Sequence, residues 1–342
     1  MMDMTIKAAL HKLIQRENLA HEEMLSLMRQ VMHGDFTPAQ IAGLLIGLRV
    51  KVETVDEIAA AAQVMRELVS KVSVKENANL VDTCGTGGAA NKAFNVSTCS
   101  AFVAAGAQAR IAKHGNRAAS SKTGSADVLE ALGVNIQLQP AQVAVCIDEV
   151  GIGFMFAPNH HAAMKYAGPV RKELGVRTLF NLLGPLTNPA GAKRQVMGVF
   201  HRDLVPLLAY ALQRLGSEHV MIVHSADEMD EISFSGDTYV AELKNGEVRE
   251  YTINPMQFGL PLHAHDVIHV ENANESKDMV LDVLNGKSGA ARDIVLLNAG
   301  AAIYVAGIAD SHAEGIAMAA QAIDSGAALT KLEQLKALSN SL

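Results

Sequence analysis

The sequence of 342 residues has no tryptophan and only 4% aromatic residues, so it offers no surface on which nucleic-acid bases could stack in series. Its cysteines number three (Cys84, Cys99, Cys146), an odd count that argues against a disulfide framework and for a reducing compartment. None has an obvious resolving partner or metal-ligand spacing. An excess of basic charge is missing too: the net charge of −7 removes the electrostatic case for a nucleic-acid or membrane partner. No apolar run reaches the ~20 residues that span a bilayer. The longest, Ile294 to Ala309, is interrupted by Asn298 and two glycines and reads as a buried helix. The N-terminus carries Asp3 and then alternates apolar and charged positions, unlike a signal peptide, so a cytoplasmic location is expected.

What is present is 49% hydrophobic residues, ample for a real core in one large domain or two. The first seventy residues carry helical signals only. Ile6–Gln15, Glu22–Met32, Ala39–Arg49 and Asp56–Val69 repeat apolar residues at three- and four-residue spacing, with capping boxes at Thr37–Gln40 and Thr54–Glu57 and a stop at His33-Gly34. A polar stretch, Lys71–Asn79, links this region to the rest. From Leu80 short apolar strands alternate with helical patterns, as in a parallel sheet with crossover helices. Strands are expected near Leu80–Asp82, Arg110–Lys113, Asn135–Leu138, Gly153–Phe156, Gln195–Phe200 and Val220–His224. Asn245-Gly246 marks a hairpin between Tyr239–Leu243 and Val248–Ile253. The fold class expected is α/β.

The densest chemistry lies between Leu80 and Ser125. A glycine loop, Gly85-Thr86-Gly87-Gly88, follows the first strand, and Asn95-Val96-Ser97-Thr98 opens a helix. Glycines let the backbone approach a ligand, and a helix start aims N–H groups and a positive dipole end at an anion. Taken alone, such a loop is often only a tight turn, and Ser97 and Thr98 could simply cap the helix. Lys113-His114-Gly115-Asn116-Arg117, followed by Ser120, Ser121, Lys122, Thr123 and Gly124-Ser125, adds cations and small polar groups at a second strand end. Such loops at the carboxyl ends of strands form a phosphate-binding pattern. A third cluster, Asp227, Glu228, Asp230 and Glu231, follows the apolar strand ending at His224. Carboxylates facing a phosphate need a cation between them, and magnesium fits one or two carboxylates plus phosphate oxygens, with Asp230-Glu231 the favoured pair. Arg171 could pair with Glu173 on the surface or fork onto a substrate carboxylate. His160-His161 lacks zinc spacing.

These motifs in this order, with Val170–Leu174, Asn181–Pro189 and Met229–Ser233, closely resemble the anthranilate phosphoribosyltransferase family over nearly the whole chain. The resemblance implies a small N-terminal helical domain (1–72, joined by part of 165–190) hinged to a larger domain (73–342) with a central, mostly parallel sheet flanked by helices, usually as a homodimer. It implies transfer of the phosphoribosyl group of phosphoribosyl pyrophosphate (PRPP) to the amine of anthranilate, with Mg2+ at two ions per subunit. Carried over by position, Gly85, Gly88, Ala89, Asn95, Ser97, Thr98, Lys113, His114, Gly115, Asn116, Arg117, Ser121 and Ser125 form the PRPP site. Gly85, Asn116 and Arg171 contact anthranilate; Ser97, Asp230 and Glu231 hold metal; no acid or base is assigned. The neighbouring readings are a related phosphoribosyltransferase or pyrimidine nucleoside phosphorylase, and a non-catalytic nucleic-acid-binding relative. Intact Asn116 and Arg171 favour anthranilate, and the net charge disfavours nucleic acid. The chain departs from the family where Asp-Gly normally follows the glycine loop: it has Ala89-Ala90, and Ala93 where a polar contact is usual. Weaker PRPP binding is expected unless Lys92 compensates through its charge.

Overall fold

Four helices form where the spacing places them, α1 Ile6–Ile14, α2 His21–His33, α3 Pro38–Lys51 and α4 Val55–Leu68, in a computed structural model that describes residues 4–77, 79–87, 92–118 and 122–342. Both capping boxes close. Thr37 accepts from the Gln40 amide at 3.3 Å while Gln40 returns a bond at 2.9 Å, and Thr54 and Glu57 do the same at 3.3 and 2.8 Å. Glu57 is buried and also accepts from the Leu19 amide (2.8 Å) and the buried Lys51 ammonium (2.9 Å), so one carboxylate fastens the α1–α2 connection to α3 and α4.

The remaining helices are α5 Val96–Gly106, α6 Ser125–Ala131, α7 Pro140–Val150, α8 Ala157–His160, α9 Ala167–Leu174, α10 Phe180–Leu183 and α11 Leu204–Arg214, followed by α12 Ala273–Leu284, α13 Ala290–Ala306, α14 His312–Asp324 and α15 Ala327–Ser341. Among the described residues the strands β1 Leu80–Gly85, β2 Arg110–Gly115, β3 Ile152–Phe156, β4 Arg194–Gly198, β5 His219–Ser225, β6 Thr238–Lys244 and β7 Glu247–Ile253 make one sheet in the order β3-β2-β1-β4-β5-β6-β7. The first five are parallel; β6 and β7, joined by the Asn245-Gly246 turn, run antiparallel. The chain winds outward from β1 to β3 and then returns to the other side of β1, so the topological switch lies between β1 and β4.

Alternation along the strands feeds two cores. Val196, Met221 and Val223 pack with α5, α13 and neighbouring helices on one face; Met197, Val220 and Ile222 pack on the other with α11, α1–α4 and the 167–186 segment. All three cysteines are buried and unpaired by disulfides, and α13 is the buried helix its apolar run predicts.

The strand expected at Asn135–Leu138 does not form. That segment joins no ladder; its buried Val134, Ile136 and Leu138 alternate because they lie in the core, and Asn135 is hydrogen-bonded to Ser339 of α15 (3.1 and 3.2 Å). Period-two burial here comes from packing against a helix rather than from a pleat.

Candidate active site

The carboxyl ends of β1 and β4 meet at Gly85 and Gly198, which are paired in register. Both positions exclude a side chain. A Cβ on Gly198 would fall 1.4 Å from the Asp230 carbonyl oxygen, and one on Gly85 would fall 2.9 Å from Asp230 Oδ2. The loop after β5 therefore lies directly over the switch point, and its carboxylate faces the glycine loop. Thr86 fixes the start of that loop by donating its amide to Gly198 (2.9 Å) and accepting from the Phe200 amide (3.2 Å).

Asp230 is held with its carboxyl against a second carboxyl, that of Glu231. Burial raises its carboxyl above the ordinary range, opposed by hydrogen bonds from Glu231 and the Gly87 amide. Two carboxyls in contact in a half-buried site share a proton or a cation. The loop is braced without using either. Asp227 accepts from Ser225 and from Ser233 (2.7 Å), Ser225 also receives the Met229 amide (3.0 Å), and Asn298 of α13 clasps Ile232 through its amide (3.0 Å) and carbonyl (2.9 Å). Asp227 is thus a structural brace, and exposed Glu228 lies at the turn with φ 65°. The donor set of Asp230, Glu231 and the Ser97 hydroxyl is hard oxygen and incomplete, the kind that suits magnesium sharing its shell with phosphate and water.

Lys113 supplies the facing cation. It is buried on β2, donates to the Thr83 carbonyl and to Ser97 Oγ (3.1 Å), and feels the charges of Asp82 and Glu231. Burial lowers its pKa, and those carboxylates oppose the fall. Ser97, in the first turn of α5, accepts from the ammonium and keeps its own proton for an acceptor oxygen. Beneath, Asp82 accepts from the His114 amide (3.1 Å) and Asn188 Nδ2 (2.8 Å), and burial pushes its carboxyl up to about 6. Asn188 also donates to the Ala112 carbonyl (2.9 Å), while Gln195 binds Cys84 Sγ (2.9 Å) and the Pro185 carbonyl (2.7 Å). The 181–189 motif is thereby tied to the strand ends.

The other expected residues fall into two groups. Asn116 is exposed at the end of β2, its Oδ1 taken by the Arg117 amide (2.8 Å), and its carbonyl receives Ser125 Oγ (3.3 Å). Gly115 leaves room for Ser125, whose Oγ would sit 2.1 Å from a Cβ. Asn95 spends its side chain internally, accepting from Thr123 (3.1 Å) and Ser276 (2.7 Å) and so pinning α5, the 122–125 segment and α12 together. Thr98 is fully buried on the inner side of α5. Arg117 turns to α6, where Asp127 (3.1 Å) and Glu130 (2.9 Å) take its guanidinium. Lys92 is exposed and bound to Glu271 (3.2 Å), which also takes Lys122 (2.9 Å), so its charge is already answered. Gly88, Ala89, Ala90 and Ser121 lie outside the described residues.

Arg171 comes from α9, whose Ala167 and Val170 belong to the core shared with the N-terminal helices. Its guanidinium lies over the Phe180 ring at 5.4 Å, with no carboxylate at ion-pair distance among the described residues; the Glu173 pairing does not form. Burial lowers its pKa, though it stays a cation. His114 meets His161 with Nε2 atoms 3.2 Å apart; burial and the neighbouring ring push His114 down to about 3, and burial brings His161 to about 4. Sequence reasoning gives His160-His161 no zinc role, and no cluster of three metal-ligating side chains occurs among the described residues. It misses His161 as a partner of His114, and it misses Asp82, Asn188 and Asn298. A polar residue inside an apolar run, as in Val81-Asp82-Thr83 or Leu297-Asn298-Ala299, is the signal that marks Asp82 and Asn298.

Comparisons with known proteins bear on the family and the fold. Residues 77–329 match the family described as "Glycosyl transferase family, a/b domain", and residues 7–69 match its "helical bundle domain". The chain is 74% identical to the anthranilate phosphoribosyltransferase of Methylobacillus flagellatus over 338 residues, 99% of each protein. It superposes on the crystal structure of anthranilate phosphoribosyltransferase from Thermus thermophilus with a TM-score of 0.92 at 42% identity, covering 97% of this chain and 99% of that one. The Saccharomyces cerevisiae enzyme in complex with PRPP and Mg gives a TM-score of 0.87 at 27% identity, covering 98% of both chains.

Proposed function

The chain belongs to the anthranilate phosphoribosyltransferases of this glycosyl transferase family, and from that premise we propose how its own residues carry the reaction. It transfers the 5-phosphoribosyl group of PRPP to the amine of anthranilate, giving N-(5-phosphoribosyl)anthranilate and pyrophosphate, the second step of tryptophan synthesis from chorismate. The bond from the anomeric carbon to a pyrophosphate oxygen breaks, the bond from that carbon to nitrogen forms, and the amine gives one proton to solvent water. The observation that carries the reading is the Asp230–Glu231 carboxyl pair locked over Gly85 and Gly198, opposite Lys113 and Ser97.

Negative charge grows on the departing pyrophosphate, so the work of this chain is to meet it. The Lys113 ammonium, the Ser97 hydroxyl and the N-terminal end of α5 supply positive charge and donors that are already in place, since internal bonds hold them. Asp230 and Glu231 hold Mg2+, which when bound supplies further positive charge to pyrophosphate oxygens. Two ions per subunit is the stoichiometry we propose. Arg171, its guanidinium 5.4 Å from the centre of the Phe180 ring, matches the anthranilate carboxylate as a bidentate fork. An aniline nitrogen is a competent nucleophile once aimed, so positioning by Arg171 and Asn116 takes the place of a strong base.

We further propose a division near residue 72 between the helical and α/β parts, with segment 165–190 contributing to the former. A homodimer contacting through the helical part accords with exposed Ile14, Val50 and Val52 there, and a cytoplasmic setting accords with three buried free thiols. The test is loss of anthranilate fluorescence with PRPP and Mg2+. Consumption that needs both co-substrate and metal supports the reading; none, with the protein folded, overturns it.

A further inference from the structure

A cavity of about 520 Å³ opens at the amino-terminal ends of β4 and β5, the opposite end of the sheet from the switch point. Arg194 and His219 begin those strands, Lys244 ends antiparallel β6, and Tyr304 of α13, Glu218 and Asp310 complete the charged and aromatic lining. Two of its lining side chains, His219 and Tyr304, are held by one carboxylate outside the lining. Glu242 accepts from His219 (2.8 Å), Tyr304 (2.8 Å) and Tyr251 (2.9 Å), which hold its carboxylate down to about 2 despite burial. The Tyr304 hydroxyl, with its proton given to Glu242, accepts from Lys244 Nζ at 3.1 Å, and the ammonium also lies 4.5 Å from the centre of that ring. Lys244 is thereby fixed in place with donors to spare.

Two of the charges that line this cavity have no opposite charge beside them among the described residues. Lys244 has no carboxylate at ion-pair distance among the described residues, and Asp310 has no cation. Arg194 pairs with Glu218 at 3.6 Å, which also takes Lys193 at 3.2 Å, and donates to the Val305 carbonyl at 3.0 Å, while its buried Nε has no acceptor. Folding alone does not call for a fixed lysine and a carboxylate left open across one concave surface, because surface ions normally stay mobile. We propose that this cavity binds a small zwitterion of the free α-amino acid class, its carboxylate taken by Lys244 and its ammonium by Asp310. A lining that carries one open charge of each sign selects a ligand with both charges over a simple anion. The proposal is independent of the chemistry at the switch point.

The test uses the full chain and reads binding by titration calorimetry and by amide NMR shifts of residues 217–219 and 244–246. Free α-amino acids are compared one by one with their N-acetyl derivatives, which lack the ammonium, and their amides, which lack the carboxylate. The expected result is that at least one free amino acid binds at millimolar concentration or below and that both of its blocked forms bind at least about tenfold more weakly. Lys244→Met and Asp310→Asn should each weaken it by a similar factor; Asp310 is exposed, so its variant keeps the fold. Absence of binding by every free amino acid overturns the proposal. So does equal binding of a blocked form, or unchanged binding in the Asp310→Asn protein.

Discussion

Asp230 shows how a single residue can be both constrained and available. Its backbone is fixed against Gly198 and its carboxyl against Gly85, yet among side chains its hydrogen bonding runs to Glu231, which a cation can replace. Asp230→Asn keeps the shape and halves the local negative charge. The Mg2+ concentration for half-maximal activity should rise at least about tenfold, with folding unchanged by circular dichroism. His114 and His161 set a second expectation. Their folded pKa values, about 3 and about 4, lie below the ordinary 6.5, so both stay neutral in the folded protein while the unfolded chain takes up protons first. Their contribution is present above pH 6.5 and is lost as pH falls from 6.5 toward 4. His160 and His312, lowered by burial, push the same way, and Asp82, raised to about 6 from 3.8, opposes them more weakly. Urea unfolding should therefore show a protein about 2 kcal/mol less stable at pH 5 than at pH 7. In His161→Gln that difference should shrink.

At the scale of elements, the site depends on a helix that never reaches it. Asn298 of α13 fixes the amide and carbonyl of Ile232, so the metal-facing loop is anchored from inside the core. Asn298→Leu should leave KM for anthranilate near its original value while raising the Mg2+ requirement, because the leucine strands two buried backbone groups beside Asp230-Glu231. Metal titrations at saturating substrates would show it. In the helical part, Glu57→Ala takes the carboxylate from the buried Lys51 ammonium and opens one half of the α4 capping box, while Thr54 still caps the helix, a loss of about 3 kcal/mol readable by chemical denaturation. The elements themselves are mostly legible in the sequence, since capping boxes, glycine stops and apolar spacing are local signals that the structure honours. Asn135–Leu138 misleads because alternation reports burial on one side and is silent on whether a strand or a helix does the covering. Likewise, the glycine loop and Lys113 announce themselves by residue type. Arg117 carries the same signal, but its choice of Asp127 and Glu130 depends on the spacing of α6, and Asn95's ties to Thr123 and Ser276 depend on where α12 returns. Pairings across 28 or 181 residues have no local trace.

At the scale of the whole molecule, two cores share one sheet, and the N-terminal helices belong to the same apolar body as one face of β4, β5 and β6. Arg66 adds a polar rivet between them. From α4 it reaches the Leu186 carbonyl (2.6 Å) and the Leu215 carbonyl at the end of α11 (3.1 Å). The strand order that creates the switch point is not readable from periodicity, because neighbouring strands in a parallel sheet are chosen by the crossover path rather than by the strands themselves. The three buried thiols carry a practical consequence. Cys84, Cys99 and Cys146 all have raised pKa values, Cys146 to about 11, and burial is the largest cause in each case. The thiolate that attacks a maleimide is therefore scarce in the native chain, and Ellman's reagent should count almost no thiols before denaturation and three after. Fluorophores can then be placed at a chosen pair of introduced cysteines, one at exposed Asp35 and one at exposed Met256, without first removing the native ones. Energy transfer between those dyes would give a ruler for movement of the helical layer against the sheet as substrates arrive.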